Sequence, residues 1–240
     1  VAALGELLID FTQNGQSAPH TRKPRAPKPQ GENAANAQHK PRPRRPRPAA
    51  PAAAEQNADN GTIVTAPTCG SCGVLPAVLL PLWRRGLADE AAVHRALYIA
   101  AGFGQVVAAR ATLAGAEGGC QAEVGAASGM AAAALVDIKG GTAEQCAEAF
   151  AMALTNLEGL VCDPVAGLVE VPCIKRNGAC ALQALLAAEL ALAGITSFIN
   201  ADEAIDAMKS VGDALPCALK ETAGGGMAVT PSAIEWAKKY

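Results

Sequence analysis

Apolar residues recur at helical spacing from residue 74 onward, and alternating, strand-like patterns are almost absent after residue 65. Alanine predominates among them and favours closely packed helices, because it combines the highest helix propensity with a very small side chain. The pattern predicts an all-α, bundle-like domain. One helix is expected to follow the turn at 66–73, and others to cover about 90–113, 123–138, 143–157 and 178–193, with a further helix after residue 200.

Polar residues at the starts of three segments support these helices. Asp89 is placed to cap the helix that follows it. Thr142 with Gln145, and Asn200 with Glu203, have the spacing of capping boxes, in which each side chain bonds to the backbone at the other residue. Local sequence therefore places helix N-termini just after residues 89, 142 and 200.

One stretch interrupts the helical pattern. Residues 158–177 contain Pro164 and Pro172, which helix interiors disfavour, together with Cys162 and Cys173. A buried loop that carries thiols and charged side chains is costly unless something binds there. We therefore predict a ligand-binding loop between two helices.

The first 56 residues differ from the rest in composition. Residues 18–56 hold nine prolines and nine Lys or Arg residues, which predicts a disordered, Pro/Arg-rich linker. The alternative is an electrostatic arm for nucleic acid, but nucleic acid is the less favoured partner because the segment has no aromatic residue to stack on bases. Residues 57–240 then form the helical domain.

Residues 1–17 form a short, strand-like segment of their own. On Gly5, Glu6 and Asp10 it resembles the opening strand of PfkB-type sugar kinases. The Gly-Ala-Gly-Asp motif of that family does not follow anywhere in the chain, so the resemblance ends with this segment. A frayed terminal segment, or a join between unrelated coding pieces, is the preferred interpretation.

The cysteines suggest metal or catalytic chemistry. The sequence begins without the features of a signal peptide, which favours a reducing, cytoplasmic location, where thiols serve metals or catalysis more often than disulfides. The most apolar window, 178–195, contains Gln183 and Glu189 and is interpreted as a buried core helix, so no membrane span is expected. Cys120, Cys162 and Cys173 lie at predicted helix boundaries, whereas Cys146 and Cys180 fall within helical runs. Their spacing matches no compact zinc finger or ribbon, but spacing alone does not decide between zinc and an iron–sulfur cluster.

The turn at 66–73 is a second candidate site. Its small residues can leave backbone N–H groups free at the start of the following helix, where Thr68 or Ser71 can act as the cap and a phosphate or carboxylate can bind. Cys69 and Cys72 form a C-x-x-C at the same place, which is compatible with a redox pair but is not taken as a ligand set. His94 is interpreted as a packed or surface residue, and Cys217 as a weaker candidate ligand.

Four segments, 64–76, 119–125, 158–177 and 224–231, carry a family resemblance. Across residues 61–232 the chain resembles the α subunit, or catalytic domain, of bacterial iron–sulfur L-serine dehydratases. The resemblance implies that Cys120, Cys162 and Cys173 ligate a [4Fe-4S] cluster. The fourth iron would bind the hydroxyl of L-serine, which becomes pyruvate and ammonia without pyridoxal phosphate. L-threonine is a possible second substrate.

Physical chemistry suggests roles for nearby residues in this reaction, and the resemblance implies a partner. The substrate carboxylate is expected on the turn, at Thr68, Gly70, Ser71 and Gly73. Lys175 and Arg176 could also pair with the carboxylate, and Asn177 could donate a hydrogen bond to it. Roles in catalysis are considered for Lys175, Asn177 and Asp163, beside the alternative of a solvated loop. Family members also carry a β subunit or domain with a Ser-Ser-His-Thr segment, and helices ahead of the turn. We expect those parts in trans, in a homodimer, or in both; the alternative is an inactive truncated or fused remnant that acts as an interaction module.

Overall fold

The computed structural model describes residues 49–239. The strand-like segment predicted at 1–17 and most of the predicted linker lie outside the described residues. Between residues 49 and 239 the structure contains helices and no β-strand, which confirms the all-α class. The α-helices are, in order, α1 (Ala49–Ala58), α2 (Val74–Arg84), α3 (Glu90–Arg110), α4 (Gly115–Gly118), α5 (Ala126–Ile138), α6 (Ala143–Thr155), α7 (Cys173–Leu192), α8 (Ala201–Ala214) and α9 (Pro231–Ala237).

Helix α5 forms the centre of the domain. Every residue from 126 to 136 is buried, and the helix packs against α2, α3, α6 and α7. Its small side chains let the neighbouring helices approach closely: a Cβ added to Gly129 would lie 2.7 Å from the ring of Phe150 on α6. That ring stacks on Phe103 of α3 with 4.7 Å between centroids, and Ser128 donates a hydrogen bond to the carbonyl of Cys180 on α7 at 2.9 Å. Alanine packing and a few larger anchors therefore build the core.

The predicted helix starts at residues 90, 143 and 201 are confirmed. Asp89 accepts a hydrogen bond from Ala92 N at 2.8 Å, and both capping boxes, at Thr142 and at Asn200, are complete. The third predicted helix begins with a π-helical turn, Gln121–Gly125, that continues directly into α5. The cap predicted at Thr68 or Ser71 for the helix after the turn is wrong. The N-cap of α2 is Gly73, and no side chain within residues 49–239 caps this helix.

Two helices begin earlier than the sequence suggested. Helix α7 begins at Cys173, so Lys175, Arg176 and Asn177 are helical and the predicted loop ends at Pro172. A proline just before or within the first turn costs no hydrogen bond, because those N–H groups have no partner within the helix. For the same reason α1 contains Pro51, and residues 49–56, which were predicted to be linker, are helical. Pro51 packs near Gly178 of α7.

The described helices lack the features of membrane spans. None of those between residues 49 and 239 combines the length and the apolar character that crossing a bilayer requires. This agrees with the interpretation of 178–195 as part of a packed helix, since α7 has eight buried residues along one side.

Candidate metal centre

Three segments meet at the candidate site: the turn before α2, the π-helical turn before α5, and the loop that leads to α7. Gln121 joins two of them. Its side-chain amide is fully buried, donates to Gly118 O at 2.9 Å and to Met208 O at 3.1 Å, and accepts from Gly159 N at 2.8 Å. Its backbone N–H donates to Leu160 O at 2.9 Å. The start of the loop is therefore fixed beside Cys120.

The thiols of Cys120 and Cys162 lie next to each other in this site. Their sulfurs and a carboxylate oxygen of Glu123 are all within 4.8 Å of one another, and both thiols are buried. A hydrogen bond between the two thiols lowers the pKa of Cys120 and raises that of Cys162. Two sulfurs and a carboxylate at this separation are a donor set that suits a metal ion.

Cys173 lies at the edge of this group, as the first residue of α7. It is buried, and its sulfur is not among the three ligand atoms within 4.8 Å of one another. Burial, and then the charge of Cys120, raises the pKa of the Cys173 thiol to about 12. The sulfur of Cys173 therefore lies outside the compact group that Cys120 and Cys162 form with Glu123.

Arg176 is the basic side chain that contacts the site. Its guanidinium donates to the sulfur of Cys120 at 3.2 Å, to Val161 O at 2.8 Å and to Asp163 at 3.0 Å. The other carboxylate oxygen of Asp163 accepts from Met227 N at 2.8 Å. With side-chain exposures of 15% and 4%, Arg176 and Asp163 form a largely buried ion pair beside the thiols. Positive charge next to a sulfur stabilises its thiolate form.

The C-terminal segment closes the same loop from another side. Cys162 donates from its backbone to Leu219 O at 2.9 Å and accepts from Glu221 N at 2.8 Å, which makes an isolated parallel bridge with Lys220. Gly226 lies so close to Asp163 that an added Cβ would be 2.4 Å from the carboxylate oxygen. The C-terminal segment thus fixes the backbone around Cys162 through these two hydrogen bonds.

Asn177 fastens the turn at 66–73 to α7. It is fully buried, donates to Gly70 O at 2.8 Å and to Cys173 O at 3.0 Å, and accepts from Gly73 N at 3.0 Å. Within the described residues, the N–H groups of Cys69 and Ser71, like that of Gly70 between them, donate no hydrogen bond. These three N–H groups are available to an anion, whereas those of Thr68 and Gly73 already donate to Ser71 and Asn177. The carboxylate site at Thr68, Gly70, Ser71 and Gly73 stays a prediction.

Glu123 is a site residue that sequence analysis did not identify. Thr68 donates a hydrogen bond to its carboxylate at 2.9 Å, and the hydroxyl of Ser71 is 2.9 Å from that of Thr68. Burial raises the pKa of the Glu123 carboxyl, the hydrogen bond from Thr68 lowers it, and the charge of Glu221 raises it further. In sequence, Glu123 was only the first residue of a predicted helix, and its approach to the thiols depends on the π-helical turn.

The remaining residues that the sequence singled out lie outside the compact group of Cys120, Cys162 and Glu123. Lys175 is exposed, in contrast to its neighbours Arg176 and Asn177, so its catalytic role stays a prediction. Cys72 is buried, which raises its pKa to about 11, while Cys69 is exposed. The other sequence candidates lie in or beside separate helices: Cys146 and Cys180 are buried in α6 and α7, Cys217 is exposed in a 3-10 turn, and His94 on α3 is 3.6 Å from Glu90.

Comparison with known proteins gives consistent matches. A family model described as serine dehydratase alpha chain matches residues 14–228. The "probable L-serine dehydratase, alpha chain" of Bacillus subtilis is 56% identical over 183 residues, which are 76% of this chain and 61% of that protein. A protein of the same name from Latilactobacillus sakei is 56% identical over 178 residues, 74% of this chain and 85% of its own length.

A third relative extends the comparison. The L-serine dehydratase alpha chain of Peptoniphilus asaccharolyticus is 48% identical over 172 residues, which are 72% of this chain and 59% of that protein. The chain therefore spans 61% of the Bacillus relative and 59% of the Peptoniphilus relative.

Proposed function

This chain belongs to the serine dehydratase alpha chain family, and on that premise we propose that it carries the metal-binding part of an enzyme that converts L-serine to pyruvate and ammonia. The observation that supports this most directly is the convergence of Cys120, Cys162 and Glu123, with their ligand atoms within 4.8 Å of one another. The relatives are named as L-serine dehydratase alpha chains, two of them as probable ones, which supports the dehydration of L-serine.

We assign the ligands of a [4Fe-4S] cluster to Cys120, Cys162 and Cys173. Three observations support this assignment: the sulfurs of Cys120 and Cys162 adjoin, Cys173 is buried and joined through its carbonyl to Asn177, and Arg176 donates to the sulfur of Cys120. Hydrogen bonds to cluster sulfurs are a common means of tuning such centres. When bound with one iron free of protein ligands, the cluster would supply a Lewis acid toward the substrate hydroxyl.

The chain's own residues would bind and orient the substrate around that centre. The free N–H groups of the turn can donate hydrogen bonds to the substrate carboxylate, and Asn177 holds the turn in place beside Cys173. Asp163 acts indirectly in this scheme, because it positions Arg176 against Cys120. Because the relatives are named as alpha chains, we further propose that a β chain, or an equivalent domain supplied in trans, completes the pocket.

Anaerobic reconstitution tests the ligand assignment. The 240-residue chain is loaded with iron and sulfide, and iron and acid-labile sulfide per chain are measured. We expect Cys120→Ser, Cys162→Ser and Cys173→Ser each to lose most of the iron. Cys217→Ser removes an exposed thiol and is the control, which we expect to keep its iron. Unchanged iron in the three variants, or equal loss in the control, would refute the assignment.

Pyruvate formation tests the activity itself. Loaded chain is incubated with L-serine, or with L-threonine, alone and with a β chain of this family added. We expect the 2-oxo acid to form from L-serine only with loaded protein. Loaded chain that yields no pyruvate even with the β chain would contradict the enzymatic proposal and favour an interaction module instead.

A further inference from the structure

Glu123 is a carboxylate at the centre of the site without a basic partner. Thr68 donates to one of its oxygens at 2.9 Å, and Glu221, the charged residue that acts on its carboxyl, is also acidic. Within residues 49–239 no basic side chain forms an ion pair with Glu123. Removing a carboxylate from water without a compensating cation is costly, so a cation supplied from outside the chain would stabilise this arrangement.

The nearest candidate within the chain is already engaged. Arg176 uses its guanidinium for the sulfur of Cys120, for the carbonyl of Val161 and for Asp163, which holds it in an ion pair at 3.0 Å. Moving it to Glu123 would leave Asp163 as a buried charge with only the N–H of Met227 as a partner. Arg176 therefore stays bonded to Cys120 and Asp163, and it does not neutralise the charge of Glu123.

Two glycines let other segments approach this carboxylate closely. A Cβ added to Gly115 would lie 2.8 Å from one carboxylate oxygen of Glu123 and 3.3 Å from the sulfur of Cys162. A Cβ added to Gly70 would lie 3.1 Å from both carboxylate oxygens. A side chain at either position would crowd Glu123, so only glycine lets these backbones pack against it. The carboxylate therefore lies directly beside the Cys162 thiol and the turn at 66–73.

We propose that Glu123 binds the α-ammonium group of the amino-acid substrate. This inference rests on the proposed function and deepens it. It assigns a protein partner to the ammonium, which is the third polar group of serine beside the carboxylate and the hydroxyl. An ammonium donates up to three hydrogen bonds, and a carboxylate is the acceptor with which those bonds are strongest. Glu123 would therefore make the site select amino acids over hydroxy acids of the same shape.

A competing role for Glu123 is metal ligation, since its oxygen lies within 4.8 Å of both sulfurs. The isosteric variant Glu123→Gln separates the two roles, because it removes the charge and keeps the shape. After anaerobic reconstitution of the full chain we measure iron content, and then the affinity for L-serine by calorimetry. L-Glycerate, in which a hydroxyl replaces the ammonium, is measured in parallel.

We expect Glu123→Gln to keep its iron and to bind L-serine about 10- to 100-fold more weakly, the range expected for a lost charge-assisted hydrogen bond. Affinity for L-glycerate should change by less than about 3-fold, because that molecule has no ammonium to pair. Glu221→Gln is the matched control. It removes the same charge near the site from an exposed side chain and should change serine affinity by less than about 3-fold.

Several results would overturn the inference. Loss of iron in Glu123→Gln would make Glu123 a metal ligand, and equal weakening for L-serine and L-glycerate would make its effect a general one. Unchanged serine affinity in Glu123→Gln, or no serine binding by the unsubstituted loaded chain, would also contradict it. Failure of the proposed function is distinguishable, because loaded chain that binds L-serine through Glu123 and forms no pyruvate refutes catalysis alone.

Discussion

Replacing Asn177 by alanine should destabilise the domain strongly. The side chain is fully buried and makes three hydrogen bonds, to Gly70 O, Cys173 O and Gly73 N. A hydrogen bond of this kind contributes about 1 kcal/mol net, and each buried partner left unpaired adds a desolvation penalty. We therefore expect Asn177→Ala to lower the free energy of unfolding by about 3 to 5 kcal/mol.

The effect is measured by urea denaturation of the cluster-free chain, followed by circular dichroism. Gln183→Ala is the matched control, because Gln183 lies on the same helix and its buried amide nitrogen has no hydrogen-bond partner among residues 49–239. That variant should lose less than about 1.5 kcal/mol, since it breaks no hydrogen bond of this nitrogen. If both variants lost the same free energy, the three bonds of Asn177 would not account for its contribution.

Two further predictions concern the thiol environment and the core. Arg176→Met should release iron to a chelator about 10-fold faster, because Cys120 loses its donor. Arg95→Met, which removes a surface ion pair, should not; equal rates would contradict the role of Arg176. Gly129→Ala should lower the free energy of unfolding by about 1 to 3 kcal/mol, because its Cβ would meet a buried ring. Gly102→Ala has open space and should be neutral or stabilising, and a loss as large as that of Gly129→Ala would refute the packing argument.

The sequence predicted those features that depend on neighbouring residues. Both capping boxes and the cap at Asp89 are present because a capping interaction involves only residues three positions apart. The helix starts at Ala49 and Cys173 were missed for a related reason. Pro51 is part of the Pro-rich composition that predicts a linker, and Pro172 is one of the prolines that predict a loop, yet a proline at the beginning of a helix removes no hydrogen bond.

The sequence could not distinguish Arg176 from Lys175, or identify Glu123. Adjacent residues on a helix point in directions about 100° apart, so the position of α7 in the fold decides which of the two basic side chains meets Cys120. Arg176 does so, and Lys175 is exposed. Glu123 reaches the thiols through the turn before α5, and Gly70 and Gly115 let their backbones pack closely against its carboxylate. Both outcomes depend on contacts between segments far apart in the sequence.

The site is held mainly by buried polar side chains. In an alanine-rich core the short side chains set how closely the helices pack. They make too few contacts with a neighbouring loop to hold that loop in one position. Gln121 and Asn177 are both fully buried, and each bonds three backbone groups with its amide. Buried amides of this kind satisfy backbone groups that a loop would otherwise leave unpaired. The fold can therefore bring Cys120 and Cys162 together through its own hydrogen bonds, and a metal centre would enter an arrangement that the chain already maintains.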